Sequence, residues 1–133
     1  MLTKIKKWFS KDQDKQDYLV HPSHVESMKF ILKLEDLDIG TLKYDADHWV
    51  FQYTNEFKKQ LDKYNRIIGF PDVDEIYTSK ELWPFFQIRI PGLKQPAIRD
   101  ILVKENINPY NEAALLKRFG YKSISNPYKL IPE

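Results

Sequence analysis

The side chains that could do chemistry are few and scattered along the chain. Cysteine is absent, which excludes disulfides, thiol nucleophiles and thiolate metal ligands. Of the three histidines, His21 and His24 lie in a polar stretch and His48 lies at the edge of a predicted strand, so we expect no shared metal site. The four glycines are isolated from one another and form no phosphate-binding loop. The sequence therefore predicts no catalytic, metal or cofactor site.

The aspartates form the one group that could pair for acid–base work, and they lie beside predicted turns. They are Asp36, Asp38, Asp45 and Asp47. Aspartate favours turns because its short side chain hydrogen-bonds to the nearby backbone. We therefore interpret these carboxylates as solvated turn residues and predict that the protein is not an enzyme.

Length and composition indicate one small domain. A chain of 133 residues with 42% hydrophobic and 14% aromatic residues can bury a single modest core. We assign residues 28–133 to that domain and residues 1–27 to an N-terminal extension and linker. No signal-peptide core or run of eighteen apolar residues occurs, so we expect a cytoplasmic protein that does not enter the membrane.

The N-terminal extension begins with a short amphipathic pattern. Its apolar residues, at helical spacing, are Leu2, Ile5, Trp8 and Phe9, and the polar stretch "SKDQDKQD" follows them. A helix this short binds lipid weakly. We expect a frayed tail or a docking segment rather than a membrane anchor.

The remaining sequence predicts an α+β fold. Alternating apolar residues from residue 28 indicate a three-stranded antiparallel meander with turns at 35–36 and 45–47, and Gly40 indicates a bulge or a close contact. We expect Asn55 to cap a short helical stretch and "RIIGFPD" to form a further strand. Helices are predicted over residues 82–90, in "PAIRDILVKENI" and in "NEAALLKRFG", and a last strand in "SISNPYKLIPE". The fold class is a small antiparallel sheet, a meander plus one or two further strands, covered by about three helices.

The stretch "ELWPFFQIRIPGLKQP", residues 81–96, is unusually apolar and bounded by prolines. On the predicted helix, the residues assigned to the interior are Phe85, Phe86, Ile88 and Ile90. Trp83 stands beside Pro84 at the helix entry and has two interpretations: it covers the core, or it anchors a partner protein. The candidate partner-binding residues are Trp83, Lys80 and Arg89.

A mixture of basic and aromatic residues lies near the end of the chain. It consists of Lys117, Arg118, Phe119, Tyr121, Lys122, Tyr128 and Lys129. Such a mixture occurs in proteins that bind single-stranded nucleic acid. We favour the simpler interpretation, in which Phe119 and Leu116 belong to the core and the lysines are ordinary charges at a helix end. Direct nucleic-acid binding is therefore not expected.

The order of several short motifs resembles the N-terminal subdomain of HipA-type toxin kinases. These motifs are "IGTL", "FQY", "FPD", "SKELWPFFQIRIPG", "ALLKRFG" and "KLIPE", and together they cover residues 28–133. Residues 1–27 have no counterpart in that subdomain, and the middle segment is richer in aromatic residues and proline. The sequence contains no kinase motifs, so the resemblance implies a free-standing form of this subdomain.

The resemblance also implies a function and partners. In split systems of this family, a small protein of this kind binds a shortened kinase and can restrain it. The leading hypothesis is thus a non-enzymatic, antitoxin-like or accessory subunit of a bacterial toxin–antitoxin system. It would bind and modulate a HipA-like serine/threonine kinase, with a helix-turn-helix antitoxin as a further partner. The alternative is a nucleic-acid-associated regulatory module within a toxin–antitoxin repressor complex.

Overall fold

The computed structural model describes residues 27–133, so the predictions for the N-terminal extension and for His21 and His24 lie outside the described residues. The strands are β1 (Met28–Leu34), β2 (Leu37–Asp45), β3 (His48–Tyr53), β4 (Tyr77–Ser79) and β5 (Lys129–Pro132). The helices are α1 (Asn55–Lys58), α2 (Pro84–Gln87), α3 (Pro96–Lys104) and α4 (Glu112–Phe119). All strand pairs are antiparallel in the order β4-β3-β2-β1-β5, which confirms the predicted α+β class.

The meander forms where the alternating pattern predicted it. Leu34 pairs with Leu37, which makes a two-residue turn at 35–36, and Asp45 pairs with His48 across Ala46 and Asp47. Ala46 and Asp47 have φ of 49° and 64°, the left-handed pair that a tight hairpin turn requires. The aspartates at this turn therefore have a conformational role.

Gly40 accounts for both features predicted at its position. The β1–β2 register shifts after Leu32, which pairs with Gly40, because Lys33 pairs with Asp38 and leaves Ile39 as an extra residue. A Cβ atom at Gly40 would lie 2.6 Å from Cζ of Phe51, so the ring occupies the space of a side chain.

The two further strands lie at opposite edges of the sheet. The prediction of a C-terminal strand is confirmed by β5, which pairs with β1. The prediction of a strand in "RIIGFPD" is wrong: residues 66–72 form no strand, and Gly69 has a φ of 97°. The edge strand beside β3 comes later in the chain, as β4. Two adjacent isoleucines gave an apolar run, but the glycine and proline that follow make a turn.

The helices are shorter than predicted. Thr54, rather than Asn55, caps α1 by accepting a hydrogen bond from the backbone N–H of Phe57, whereas Asn111 caps α4 as predicted. The helix predicted over residues 82–90 is wrong in length, because only residues 84–87 are α-helical. Beyond them the Ile90 N–H donates to the Gln87 carbonyl, three residues back, as in a 3₁₀ turn. The α-helix does not continue because Pro91 disfavours a helical conformation at the residue before it.

The core lies between the sheet and the helices with their loops. Alternate strand residues enter it, including Phe30, Leu42 and Phe51, all at most 1% exposed. Phe57, Phe70, Phe86 and Leu116 close it from the other side. Phe51 is central, with ring centroids 4.5 Å from Phe70 and 5.7 Å from Phe86. Segments 65–71 and 81–90 are therefore fixed against the sheet by aromatic packing.

Candidate functional site

Segment 81–90 presents two faces. Leu82, Phe86 and Arg89, spaced four and three apart, are buried and form the inner face. Phe85 and Ile90 are half-buried against the core, whereas Ile88 is 53% exposed. The prediction that Ile88 faces the interior is therefore wrong. On this spacing Ile88 comes two residues after Phe86, about 200° further around the helix axis, so it points away from the inner face that Arg89 occupies.

Arg89 ties the inner face to the loop after α4. Its Nη1 atom donates to the Gly120 carbonyl at 3.0 Å, and Nη2 donates to the Tyr128 carbonyl at 2.8 Å and to Oδ1 of Asn126 at 3.0 Å. Burial lowers the pKa of Arg89 to about 10 because the cation loses its hydration. Predicted as a surface contact, Arg89 is only 4% exposed, so the structure gives it an internal role.

Trp83 combines the two interpretations that its sequence position allowed. It precedes α2 in an extended conformation and is half-buried. Its ring meets the ring of Phe70 edge-on, with centroids 5.1 Å apart, and lies 6.5 Å from that of Phe86. Its remaining surface faces an open groove. Trp83 thus covers the core on one side and faces solvent on the other.

The groove, which we call the Trp83 groove, has a volume of about 670 Å³. Its walls come from three segments: loop residues 65–70, residues 83–85 with Ile88, and residues 125, 126 and 128. Most of the lining is apolar, and Ile68 and Ile88 on its walls are 89% and 53% exposed. The groove therefore offers a concave and mostly apolar surface with an exposed isoleucine on two of its walls.

The wall made by residues 65–70 is held by one tyrosine of the sheet. The Tyr53 hydroxyl accepts a hydrogen bond from the Ile67 N–H at 2.9 Å and donates one to the Phe70 carbonyl at 2.6 Å. Burial is the main cause that raises the pKa of Tyr53 from 10.0 to about 12. The loop between these two bonds carries Ile68 outward, so the exposed isoleucine stands on an anchored turn.

Of the three predicted partner-binding residues, the structure brings only Trp83 into the groove. Lys80 is exposed but does not line it, and Arg89 lies inside the domain. The sequence reasoning missed Ile68, which was assigned to a strand. The signal for it was the sequence "IIGFP", in which the glycine and the proline after the two isoleucines indicate a turn.

The basic and aromatic residues near the end of the chain contact one another and a carboxylate. Arg118 donates to both carboxylate oxygens of Glu105, at 2.7 and 3.1 Å, and lies over the ring of Phe119. The ammonium groups of Lys122 and Lys129 each lie 5.8 Å from the ring centroid of Tyr121. These contacts account for the mixture as local packing on the surface.

Residues 27–133 contain neither a cluster of metal-ligating side chains nor a membrane-spanning helix. Within this range, no three histidine, aspartate or glutamate side chains lie together in a way that could hold a metal ion. No helix in this part of the chain has both the length and the apolar character needed to cross a bilayer.

Comparison with known proteins identifies a family. A family model described as the HipA N-terminal domain matches residues 31–124. The match contains β2, β3, β4 and all four helices, together with the groove walls except residues 125, 126 and 128. No curated protein matches the chain. The family match confirms the resemblance that the order of motifs predicted.

Proposed function

Because this chain belongs to the family of HipA N-terminal domains, we propose that it is an antitoxin-like or accessory subunit that binds and modulates a HipA-like serine/threonine kinase. The family indicates a role related to toxin–antitoxin systems, and its domain is a non-catalytic subdomain. A non-catalytic domain acts on a kinase through its surface. The Trp83 groove is the part of the described surface best suited to such contact.

The observation that carries this proposal is the exposure of Ile68 and Ile88 in the same groove as a half-buried tryptophan. Tryptophan is enriched among the interface residues that contribute most to binding, and neighbouring apolar residues exclude water around such an anchor. Tyr53 fixes the wall made by residues 65–70 from inside the domain. Arg89 joins segment 81–90 to Tyr128 and so fixes the other two walls. A fixed groove loses little conformational entropy on binding.

In this proposed function, the chain modulates the kinase by docking at the Trp83 groove. A kinase segment bound against Trp83 is held in one conformation. Binding raises the population of kinase molecules in that conformation and so changes the activity of the kinase. A helix-turn-helix antitoxin is the further partner in the proposed assembly.

The test is a binding titration between the purified chain and a HipA-like kinase from the same cell. We expect the substitution Trp83→Ala to weaken binding more than tenfold, about 1.4 kcal/mol. Trp83 also packs on Phe70, so we expect the variant to lose roughly 1–3 kcal/mol of stability while remaining folded. Trp83→Phe is the matched control, because it keeps an aromatic ring against Phe70 and should retain most of the stability.

Two results decide the test. Weakened binding by a Trp83→Ala protein that still melts cooperatively above the assay temperature supports the proposal. Absence of any complex between the wild-type chain and the kinase contradicts it.

A further inference from the structure

We infer that the Trp83 groove receives a kinase segment that carries large apolar side chains next to a carboxylate, and that Arg66 pairs with that carboxylate. The inference rests on the proposed function and specifies the chemistry of the partner. It starts from the charges around the groove. Arg66 is the one charged residue among those that line it, and no acidic residue lines it.

Arg66 is available for such a contact. It is exposed, and within residues 27–133 no carboxylate lies within 4.0 Å of its guanidinium. Arginine offers five N–H donors in a planar fork that matches the two oxygens of a carboxylate. An arginine beside an apolar groove therefore favours a partner with an acidic residue next to its apolar ones.

Asn126 supplies a second donor on the opposite wall. Its Oδ1 atom accepts from Nη2 of Arg89 at 3.0 Å and from the Tyr128 N–H at 3.2 Å, which fixes the orientation of the amide. Nδ2 of Asn126 makes no hydrogen bond to the described residues, so the N–H groups are the unused part of this side chain. The polar groups of the groove thus offer donors from both walls, which suits an acceptor such as a carboxylate.

The charges also discriminate between possible occupants. Residues 1–9 of this chain contain apolar residues, but they carry Lys4, Lys6 and Lys7 and no acid, so they would bring like charge to Arg66. Nucleic acid requires several cations along a phosphate backbone, whereas this groove has one cation between apolar walls. An acidic and apolar protein segment matches both the charge and the lining.

The experiment compares charge variants in the titration with the kinase. We expect Arg66→Glu to weaken binding by roughly tenfold or more, because it places like charges together, and Arg66→Gln to weaken it by a smaller factor. Lys104→Glu is the matched control: it makes the same change of charge at an exposed residue on α3 that does not line the groove, and it should change affinity less than about twofold. All three variants should melt as the wild type does.

The outcomes separate this inference from the proposed function. If the kinase binds the Arg66 variants as tightly as the wild type while Trp83→Ala weakens binding, the inferred pairing of Arg66 with a carboxylate is wrong. The Trp83 groove then remains the proposed docking site. If Lys104→Glu weakens binding as much as Arg66→Glu, the effect is one of net charge and the inference is also overturned. Self-association of the wild type that Arg66→Glu abolishes would identify a second copy as the occupant and would equally overturn it. A failure of the wild-type chain to bind the kinase removes the proposed function and this inference together.

Discussion

The two faces of segment 81–90 reverse the usual assignment of polar and apolar residues. On the inner face a cation, Arg89, is 4% exposed, and on the outer face Ile88, the residue just before it, is 53% exposed. Burial of Arg89 is possible because the carbonyls of Gly120 and Tyr128 and Oδ1 of Asn126 accept from Nη1 and Nη2, although Nε is buried without a partner in the described part of the chain. The difference shows that hydrogen-bond partners, rather than hydropathy, decide which of these two neighbouring residues is buried.

The largest effect is expected from removing the inner cation. Arg89→Ala leaves the carbonyls of Gly120 and Tyr128 without their donor, and each unsatisfied buried acceptor costs roughly 1–3 kcal/mol, so we expect it to lower the free energy of unfolding by about 2–5 kcal/mol. Chemical denaturation monitored by tryptophan fluorescence measures this change. Arg89→Lys keeps the charge but not the planar fork of donors, so its free energy of unfolding should lie between those of Arg89→Ala and the wild type.

A particular result would break the comparison at this point. If Arg89→Ala unfolded like the wild type but no longer bound the kinase, Arg89 would be a surface contact, as the sequence suggested, and the inner face would need another explanation.

The next effect concerns Tyr53, which fixes the groove wall made by residues 65–70. Tyr53→Phe removes the bonds to the Ile67 N–H and the Phe70 carbonyl, so we expect a loss of about 1–3 kcal/mol of stability at neutral pH. The loss should depend on pH. The folded-state pKa of Tyr53 is raised from 10.0 to about 12, so its contribution is full below pH 10 and disappears as the pH rises through 12.

The stability difference between the wild type and Tyr53→Phe should therefore shrink between pH 10 and 12. Denaturation curves of both proteins across this range measure it, and the comparison cancels the titration of Arg89, which is present in both. A difference that stays constant up to pH 12 would show that the Tyr53 hydroxyl ionises as freely in the folded as in the unfolded chain.

The sequence predicted the sheet better than the groove, for a physical reason. Strand alternation is a local pattern, so it predicted that residues such as Phe30 and Phe51 are buried. The same pattern predicted the turn at Ala46 and Asp47. The environment of Arg89 depends on carbonyls that lie 31 and 39 residues further along the chain. No local pattern encodes such a contact.

The groove depended on the same kind of distant information. Trp83 was identified because it precedes Pro84 at a predicted helix entry, where a large side chain need not point inward, but its neighbour Phe70 comes from another segment. Ile68 was assigned to a strand because an apolar run of that length has no periodicity of its own. Its exposure is decided by the bonds that Tyr53 makes to Ile67 and Phe70.

The smallest effect on stability, and the most direct test of the docking site, comes from a matched pair of isoleucines. Ile88 lines the Trp83 groove and is 53% exposed, whereas Ile76 is 60% exposed and lies outside it. Because both side chains are largely in solvent, Ile88→Asp and Ile76→Asp should each change stability by no more than about 0.5 kcal/mol.

The deciding measurement is the affinity of these two variants for the HipA-like kinase, with thermal melting of the same preparations. Our account predicts that Ile88→Asp weakens binding by more than roughly tenfold, since the aspartate must lose water in an apolar contact, while Ile76→Asp binds as the wild type does. Equal affinities of the two variants, with both proteins folded, would contradict the central claim that the kinase docks in the Trp83 groove.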